Sequence, residues 1–215
     1  ANYQTTHNEP LESTYRGLGV TTNRPPGGGV MVLEMLNILE NFDLRSMGHN
    51  TVEYVRTVTE AMKRATSDKD NYVGDPEHFE VPLEWLISKE HAQDQARMIA
   101  TGNRAKVERL SYEAKDTTHV CVVDRDGNAV SMTHSLGMPS GVITDGLGFM
   151  YNGCMAVFDP RPGNADSLAP GKSRFSSLCP TMVFDNDHLK YVVGAPGGTQ
   201  IAMGVTQVLL NSIDF

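Results

Sequence analysis

Alternating apolar and polar residues in the second half of the chain predict two β-hairpins. Residues 120–123 are typical of a buried strand, residues 124–128 form a polar turn rich in Asp, and residues 129–135 form the returning strand. A second apolar pair, residues 182–184 and 189–193, flanks an Asp-Asn-Asp turn. The second half of the chain is therefore predicted to be rich in β-structure.

The length of the first turn fixes which residues face each other across the first hairpin. If Val123 pairs with Ala129, counting back along both strands places Thr117 opposite Ser135 on the same face. The sequence thus predicts two hydroxyl groups facing each other where the first strand begins.

Helical spacing of apolar residues dominates the first half of the chain. Asn50 with Glu53 resembles a capping box, and Val55 and Val208 fall on the apolar stripes of their helices. Residues 101–116 are polar and aperiodic, which is typical of a linker. Helices are predicted over residues 30–42, 50–69, 88–100 and 199–213, with a short helix beginning at Pro82, and further strands over residues 15–20 and 147–152. Helices followed by strands and a closing helix indicate a layered α/β fold.

Composition and charge exclude several classes of function. The chain has 215 residues and a formal net charge of −8, which argues against nucleic acid or an anionic membrane surface as a partner. No apolar run is long enough to span a bilayer, and residues 1–4 do not resemble a signal peptide. The Pro-Pro-Gly-Gly-Gly run at 25–29 precedes a helix, but no Gly-Lys-Ser/Thr follows it, which disfavours a nucleotide-binding loop.

Cysteine and histidine positions do not indicate a metal site. Cys121, Cys154 and Cys179 are far apart in sequence and are expected to be buried apolar side chains. His119 and His134 lack an evident third ligand, so structural roles are expected for them and no metal is predicted.

Two features together suggest acyl transfer. Thr117 begins a strand, and Pro196-Gly197-Gly198 lies between a predicted strand and a predicted helix, where backbone amides are free. A hydroxyl nucleophile and a group of free amides are the two halves of a site that attacks a carbonyl and stabilises the resulting oxyanion.

The order of several short motifs resembles the γ-glutamyltranspeptidase family of N-terminal nucleophile hydrolases. Residues 36–42 and 72–76 resemble the end of the family's large subunit. The other matching segments follow in family order: Thr117-Thr118-His119, residues 122–130, Ser176-Ser177, Pro180-Thr181, Gly194-Ala195-Pro196-Gly197-Gly198 and Asn211-Ser212-Ile213-Asp214. Each motif is weak alone, but their shared order across residues 15–215 is specific.

The resemblance implies a layered αββα N-terminal nucleophile hydrolase fold that is incomplete in this chain. It implies that residues 1–116 form the C-terminal part of the large subunit and residues 117–215 the N-terminal part of the small subunit, within one globular domain. The processed fragments are expected to remain together as a heterodimer. The family's carboxylate-binding arginine is expected in an N-terminal part outside this chain.

The resemblance also assigns roles to the predicted site residues. Cleavage of the Asp116–Thr117 bond would free the α-amine of Thr117, which then serves as base for its own hydroxyl. Ser135 would orient Thr117, in place of the family's threonine. Gly197 and Gly198 would form the oxyanion hole. No cofactor is implied.

The predicted substrate-binding residues match the family only in part. Ser176 and Ser177 retain the family's hydroxyl pair for the substrate carboxylate. Gly137 replaces an asparagine, and Cys154 and Val157 replace the Gln and Asp that hold the glutamyl α-amino group in the family. An ammonium group buried without acceptors costs several kcal/mol, so we expect an apolar subsite and a carboxylate-bearing amide donor without an α-amine.

Three functions remain open from the sequence. The first is such a self-processing amidohydrolase. The second is a true γ-glutamyltranspeptidase or glutathione hydrolase with a rearranged amino-group clamp. The third is a non-catalytic relative, which the joint retention of Thr117, Ser135, Gly197 and Gly198 disfavours. The compartment is left open.

Overall fold

The computed structural model describes residue 5 and residues 7–107 and 116–215. Short helices and connecting turns join the longer helices of the first half. The α-helices in these residues are α1 Gly29–Leu39, α2 Leu44–Met47, α3 Val52–Tyr72, α4 Leu83–Leu86, α5 Lys89–Ala100 and α6 Ile201–Ile213. Single 3₁₀ turns lie at Cys154–Val157 and Gly198–Gln200.

Antiparallel pairing organises the strands into one four-stranded sheet and two hairpins. The strands are β1 Leu11–Tyr15, β2 Leu18–Thr22, β3 Asp116–Val123, β4 Ala129–Gly137, β5 Pro139–Ile143, β6 Met150–Asn152, β7 Thr181–Asp185 and β8 His188–Val193. The sheet order is β1-β2-β7-β8, while β3 pairs with β4 and β5 with β6.

The four-stranded sheet joins distant parts of the chain at its centre. β2 and β7 pair with Val20 opposite Val183, and both side chains are buried. Residues on either side of position 117 therefore share one sheet and one core.

Helix α1 forms the centre of the hydrophobic core. Every residue from Gly29 to Leu39 is buried, and the helix contacts α3, α5, α6 and β1. Apart from Glu34 and Asn37, its residues are Gly, Val, Met, Leu and Ile, and a helix that is apolar on nearly every face must be covered on all sides.

The sheet is also tied to the end of α6 through Asp214. The buried Tyr15 hydroxyl donates to Asp214 Oδ2 at 2.5 Å, and Arg16 Nε lies 3.1 Å from Oδ1. Burial and the hydrogen bond to Asp214 raise the pKa of Tyr15. Tyr15 therefore remains a neutral donor.

A buried trio of ionisable side chains links three helices. His91 Nε2 on α5 lies 2.8 Å from Asp68 Oδ2 on α3 and 3.7 Å from Glu34 Oε1 on α1. Glu34 Oε1 has no hydrogen-bond partner, and burial raises the pKa of Glu34 to about 8. Burial opposes the charge of His91, but its hydrogen bond with Asp68 and the nearby Glu34 carboxyl outweigh this effect and raise its pKa to about 9. The trio therefore retains protons that an unfolded chain would lose.

Strand predictions were right for both C-terminal hairpins and only partly right elsewhere. The prediction of a strand over residues 15–20 is wrong because a turn interrupts it: Arg16 and Gly17 have φ of 51° and 80°, as a type I′ hairpin turn requires. Strand β5 lies where the sequence suggested a loop, and β6 is shorter than predicted.

Helix predictions differ from the structure mainly at termini and surfaces. Thr51, rather than Asn50, caps α3, since its Oγ1 accepts from the Tyr54 amide. Val55 and Val208 are 48% and 51% exposed, although their spacing placed them on apolar stripes.

The first hairpin is a strand pair as predicted, but its apolar face is not buried. Val120, Val122, Val130 and Met132 are exposed. They alternate with His119, Cys121 and Ser131 on the opposite, polar face, which contacts β8. The pattern of hydrophobic residues therefore predicted the wrong face of the hairpin to be buried. Cys121 is likewise exposed and Cys154 half-buried, while Cys179 is buried as expected.

Part of the predicted linker over residues 101–116 lies outside the described residues. Residues 103–107 have no regular structure, residues 108–115 are not described, and Asp116 already belongs to β3. Within the described residues, no helix combines the length and apolarity needed to cross a membrane.

The buried trio predicts a loss of stability with rising pH. Glu34 and His91 have ordinary pKa values of 4.5 and 6.5 and raised values of about 8 and 9 in the fold. Between pH 6.5 and 8 the folded state therefore binds more protons than the unfolded chain, and stability falls as pH rises. Glu34→Gln in the full-length protein should reduce that fall by up to about 1.4 kcal/mol per pH unit.

Urea unfolding midpoints at pH 6.5 and 8 would measure this effect. The matched control is Glu77→Gln, which removes an exposed carboxylate. Equal pH slopes for wild type and Glu34→Gln would contradict the role of Glu34.

Candidate active site

The register of the first hairpin brings two hydroxyl groups together. Val123 pairs with Ala129 and Thr117 with Ser135, as predicted from the turn length. Thr117 Oγ1 donates to Ser135 Oγ at 3.0 Å, and both residues are half-buried. A threonine hydroxyl thus has a fixed partner at the start of a strand.

A bulge lies at the predicted cleavage bond. Thr117 pairs with Ser135, but Asp116 pairs with Gly137 rather than Leu136, so Leu136 is the extra residue. The register changes between Asp116 and Thr117. This peptide bond therefore lies at an irregular point of the β3–β4 ladder, whereas the pairs from Thr117 onward are regular.

Gly137 lies in close contact with the residues around this bulge. Its amide donates to Ser135 Oγ at 2.8 Å, and the Cys154 thiol donates to the Leu136 carbonyl at 3.3 Å. A Cβ built on Gly137 would lie 2.4 Å from Cys154 Sγ and 3.3 Å from Arg174 Nη2. Gly137 also has a φ of +65°, so both space and backbone favour glycine here.

The polar face of the hairpin contacts the strand that leads to the glycine loop. The His119 ring packs against Gly194, where a Cβ would lie 2.1 Å from the ring. Ser131 Oγ donates to the Val193 carbonyl at 3.3 Å. His119 Nδ1 also lies 2.8 Å from Thr133 Oγ1, and burial lowers the pKa of His119. His119 thus packs β3 against the end of β8, two residues from Thr117.

The glycine loop turns directly into α6, as the sequence predicted. Gly197 and Gly198 have φ of 133° and 59°, and the 3₁₀ turn Gly198–Gln200 precedes the helix. Amides at such a helix start favour negative charge. No contact between these amides and Thr117 is described within residues 116–215.

Ser176 and Ser177 are held by backbone contacts on two sides. The Ser176 amide donates to the Pro26 carbonyl at 2.7 Å, and its Oγ accepts from the Leu178 amide at 3.4 Å. The Ser177 hydroxyl donates to the Gly198 carbonyl. The structure thereby joins Ser177 to the glycine loop, and the Pro-Pro-Gly-Gly-Gly run holds the serine segment in place.

Val157 has different surroundings from Cys154. It lies at the other end of the Cys154–Val157 turn and lines a groove of about 390 Å³ whose wall includes Lys69 and Asp166. Gly137 and Cys154 therefore lie beside Thr117 and Ser135. Among the described residues, no contact beyond this turn joins Val157 to these four.

Sequence reasoning missed Arg174. Its guanidinium lies beside Gly137 and Cys154, and its Nη1 donates to the Phe175 carbonyl at 2.6 Å. The available signal was a basic residue two positions before the Ser176-Ser177 pair.

Comparisons with known proteins identify the family of the chain. The gamma-glutamyltranspeptidase family model matches residues 1–215. The glutathione hydrolase proenzyme of Escherichia coli (strain K12) is 34% identical over 100% of this chain and 40% of its own length. The acylase ACY 1 proenzyme of Pseudomonas sp. (strain V22) is 37% identical over 100% of this chain and 39% of its own length.

A solved structure shows the same fold. The crystal structure of cephalosporin acylase from Bacillus halodurans matches with a TM-score of 0.83 and 30% identity, covering 100% of this chain and 39% of that one. The predicted layered N-terminal nucleophile hydrolase fold is confirmed, and the chain spans about 40% of the length of the curated relatives it matches.

The packing around Gly137 generates a stability prediction for the full-length protein. Gly137→Ala should destabilise the fold by more than about 2 kcal/mol, since it adds a clash with Cys154 to a backbone cost of about 1–2 kcal/mol. Gly141→Ala is the matched control because Gly141 has a φ of +77° with nothing within 4 Å of its Cβ position.

Urea unfolding of these variants, of Cys154→Ala and of Gly137→Ala/Cys154→Ala would separate the two costs. The double variant should lose less stability than the two single variants added together. Equal losses for Gly137→Ala and Gly141→Ala would show that the close contact with Cys154 carries no cost.

Proposed function

The chain belongs to the gamma-glutamyltranspeptidase family, and we propose that it forms the catalytic region of a self-processing amidohydrolase whose nucleophile is Thr117. The observation that carries this proposal is the 3.0 Å contact between Thr117 Oγ1 and Ser135 Oγ beside the bulge. The proenzyme names of the relatives support a precursor that is cleaved.

Self-cleavage would proceed by an N-to-O acyl shift. Thr117 Oγ1 attacks the carbonyl carbon of Asp116 and forms an ester, while the bond to the Thr117 nitrogen breaks and the nitrogen takes the proton. Water then hydrolyses the ester, leaving a carboxyl group on Asp116 and a free α-amine and hydroxyl on Thr117. Ser135 orients the hydroxyl for both roles.

The proposed fragments, residues 1–116 and 117–215, stay associated after cleavage as one domain. Strand β2 belongs to the first fragment and β7 to the second, and their pairing supports this arrangement. The contact of Tyr15 with Asp214 adds a second link between the fragments.

In the catalytic cycle, the freed amine would take the proton of Thr117 Oγ1 as that oxygen attacks the substrate amide. The tetrahedral oxyanion is assigned to the amides of Gly197 and Gly198, where loss of one donor costs on the order of 3 kcal/mol in the barrier. The leaving amine takes the proton, and water or an acceptor amine releases the acyl group. The leaving amine and the acyl product have then both been released, and Thr117 again carries a free hydroxyl and a free α-amine.

The proposed donor carries a carboxylate and lacks a neighbouring α-amine. Gly137 and Cys154, beside the nucleophile, offer no carboxylate or amide side chain to an ammonium group, while Ser176 and Ser177 supply hydroxyls near the glycine loop. The relatives include enzymes named for acylase activity, which is consistent with donors other than glutathione.

Glutathione hydrolysis is the second candidate. The relative from Escherichia coli is named a glutathione hydrolase and is 34% identical across this chain. In that case residues outside the chain would supply the acceptors for the ammonium group.

Replacement of the nucleophile tests self-cleavage in the full-length protein. Thr117→Ala should leave one uncut, inactive chain, because alanine has no hydroxyl to attack Asp116. Thr117→Ser retains the hydroxyl and should still yield two fragments. Mass spectrometry under denaturing conditions measures the outcome, and fragments from the alanine variant would show that the nucleophile is assigned wrongly.

The donor assignment is tested with glutathione and its des-amino analogue. The processed protein should hydrolyse the analogue with a kcat/KM at least about tenfold higher, because about 1.4 kcal/mol of uncompensated ammonium burial gives that factor. Equal or faster turnover of glutathione would favour the second candidate.

A further inference from the structure

We propose that Arg174 binds the carboxylate of the acyl group and thereby selects anionic donors; this inference rests on the proposed function of Thr117. It changes the character of the subsite around Gly137 and Cys154, which the sequence predicted to be apolar. The structure places a cation there.

The position of the guanidinium is fixed by its surroundings. Arg174 Nη1 donates to the Phe175 carbonyl at 2.6 Å, and Nη2 lies 3.3 Å from the Cβ position of Gly137. Arg174 is half-buried. One nitrogen therefore anchors the group to its own backbone, and the other points to the residues beside the nucleophile.

The charge of Arg174 has no direct ion-pair partner among residues 7–107 and 117–215, where no carboxylate lies within 4.0 Å of its guanidinium. The charge of Arg174 acts on Asp166. Burial raises the pKa of Asp166, while the charges of Lys69, Lys172 and Arg174 lower it. Asp166 Oδ1 also accepts from the Phe175 amide at 2.7 Å, so part of its hydrogen-bonding capacity is already used.

Contacts lead from the guanidinium to the nucleophile in a few steps. Arg174 Nη2 lies beside Gly137, the Gly137 amide donates to Ser135 Oγ, and Ser135 Oγ accepts from Thr117 Oγ1. Adding covalent bond lengths to these contacts puts Nη2 no more than roughly 12 Å from the nucleophilic oxygen. A short dicarboxylic acyl chain can span the gap between a carbonyl at Thr117 and a carboxylate at Arg174.

A guanidinium suits a carboxylate better than any neutral partner. Its planar N–H groups form charge-assisted hydrogen bonds that also fix orientation. The same charge repels an ammonium group, so it disfavours an α-amino donor more strongly than an apolar wall would. An apolar subsite would accept a neutral donor at least as readily as an anionic one, whereas a cationic subsite would favour the anionic donor.

The experiment uses the full-length processed protein and two 4-nitroanilides that share the same acyl length. One carries a terminal carboxylate (glutaryl) and the other the corresponding carboxamide. Wild type should favour the carboxylate by at least about tenfold in kcat/KM, mainly through KM. Arg174→Gln should reduce that ratio at least about tenfold, and Arg174→Lys should give an intermediate ratio, because lysine keeps the charge without the planar fork.

Arg125→Gln is the matched control for loss of one positive charge. Its side chain is 92% exposed in the turn of the first hairpin, and its ratio should equal that of wild type. Self-cleavage at Thr117, read by mass, reports that each variant has folded around an intact nucleophile.

The outcomes separate the two proposals. A processed, active Arg174→Gln enzyme with the wild-type ratio overturns the role of Arg174 alone. A wild-type enzyme that hydrolyses the carboxamide as well as the carboxylate overturns it too, even if Arg174→Gln fails to fold. Wild-type protein that neither cleaves itself nor hydrolyses either anilide overturns the proposed function and this inference with it.

Discussion

Backbone hydrogen bonds between β2 and β7 join residues 18–22 to residues 181–185 at the centre of the main sheet. The rest of the arrangement depends on this pairing. It sets β8 at the sheet edge, and β8 is followed directly by Gly194, against which His119 packs. The hairpin that carries Thr117 is thus positioned by a sheet to which it does not itself belong.

Two glycine residues allow the parts of the candidate site to pack closely against each other. At Gly194 the absence of a Cβ admits the His119 ring, and at Gly137 it admits the Cys154 thiol and the Arg174 guanidinium. At both glycines, a neighbouring side chain occupies the space that a Cβ would fill. Close packing of this kind makes the site sensitive to single added carbons.

The sequence was sufficient where one local rule determined the structure. Turn length gave the pairing of Thr117 with Ser135, and the apolar run at 30–42 gave α1 within a few residues. It was insufficient where two rules competed. Alternation located the strand around Val122 but not the face that would be covered, because a polar face contacts β8 through side-chain hydrogen bonds.

The candidate site shows the same division. The hydroxyl pair and the glycine loop could be located from order and spacing. The contact of Arg174 with Gly137 could not, since it joins segments far apart in sequence. The bulge at Leu136 was not predicted either, because counting back from the turn assumes an unbroken register.

The pairing of β2 with β7 also bears on how the protein recovers from denaturation. In an uncut chain the two strands are tethered, and their encounter is a first-order event with a modest loop-closure cost. In the two-fragment form that we propose, the same encounter would be second-order and would depend on concentration. Refolding of the cleaved form would therefore slow down on dilution, whereas refolding of an uncut precursor would not.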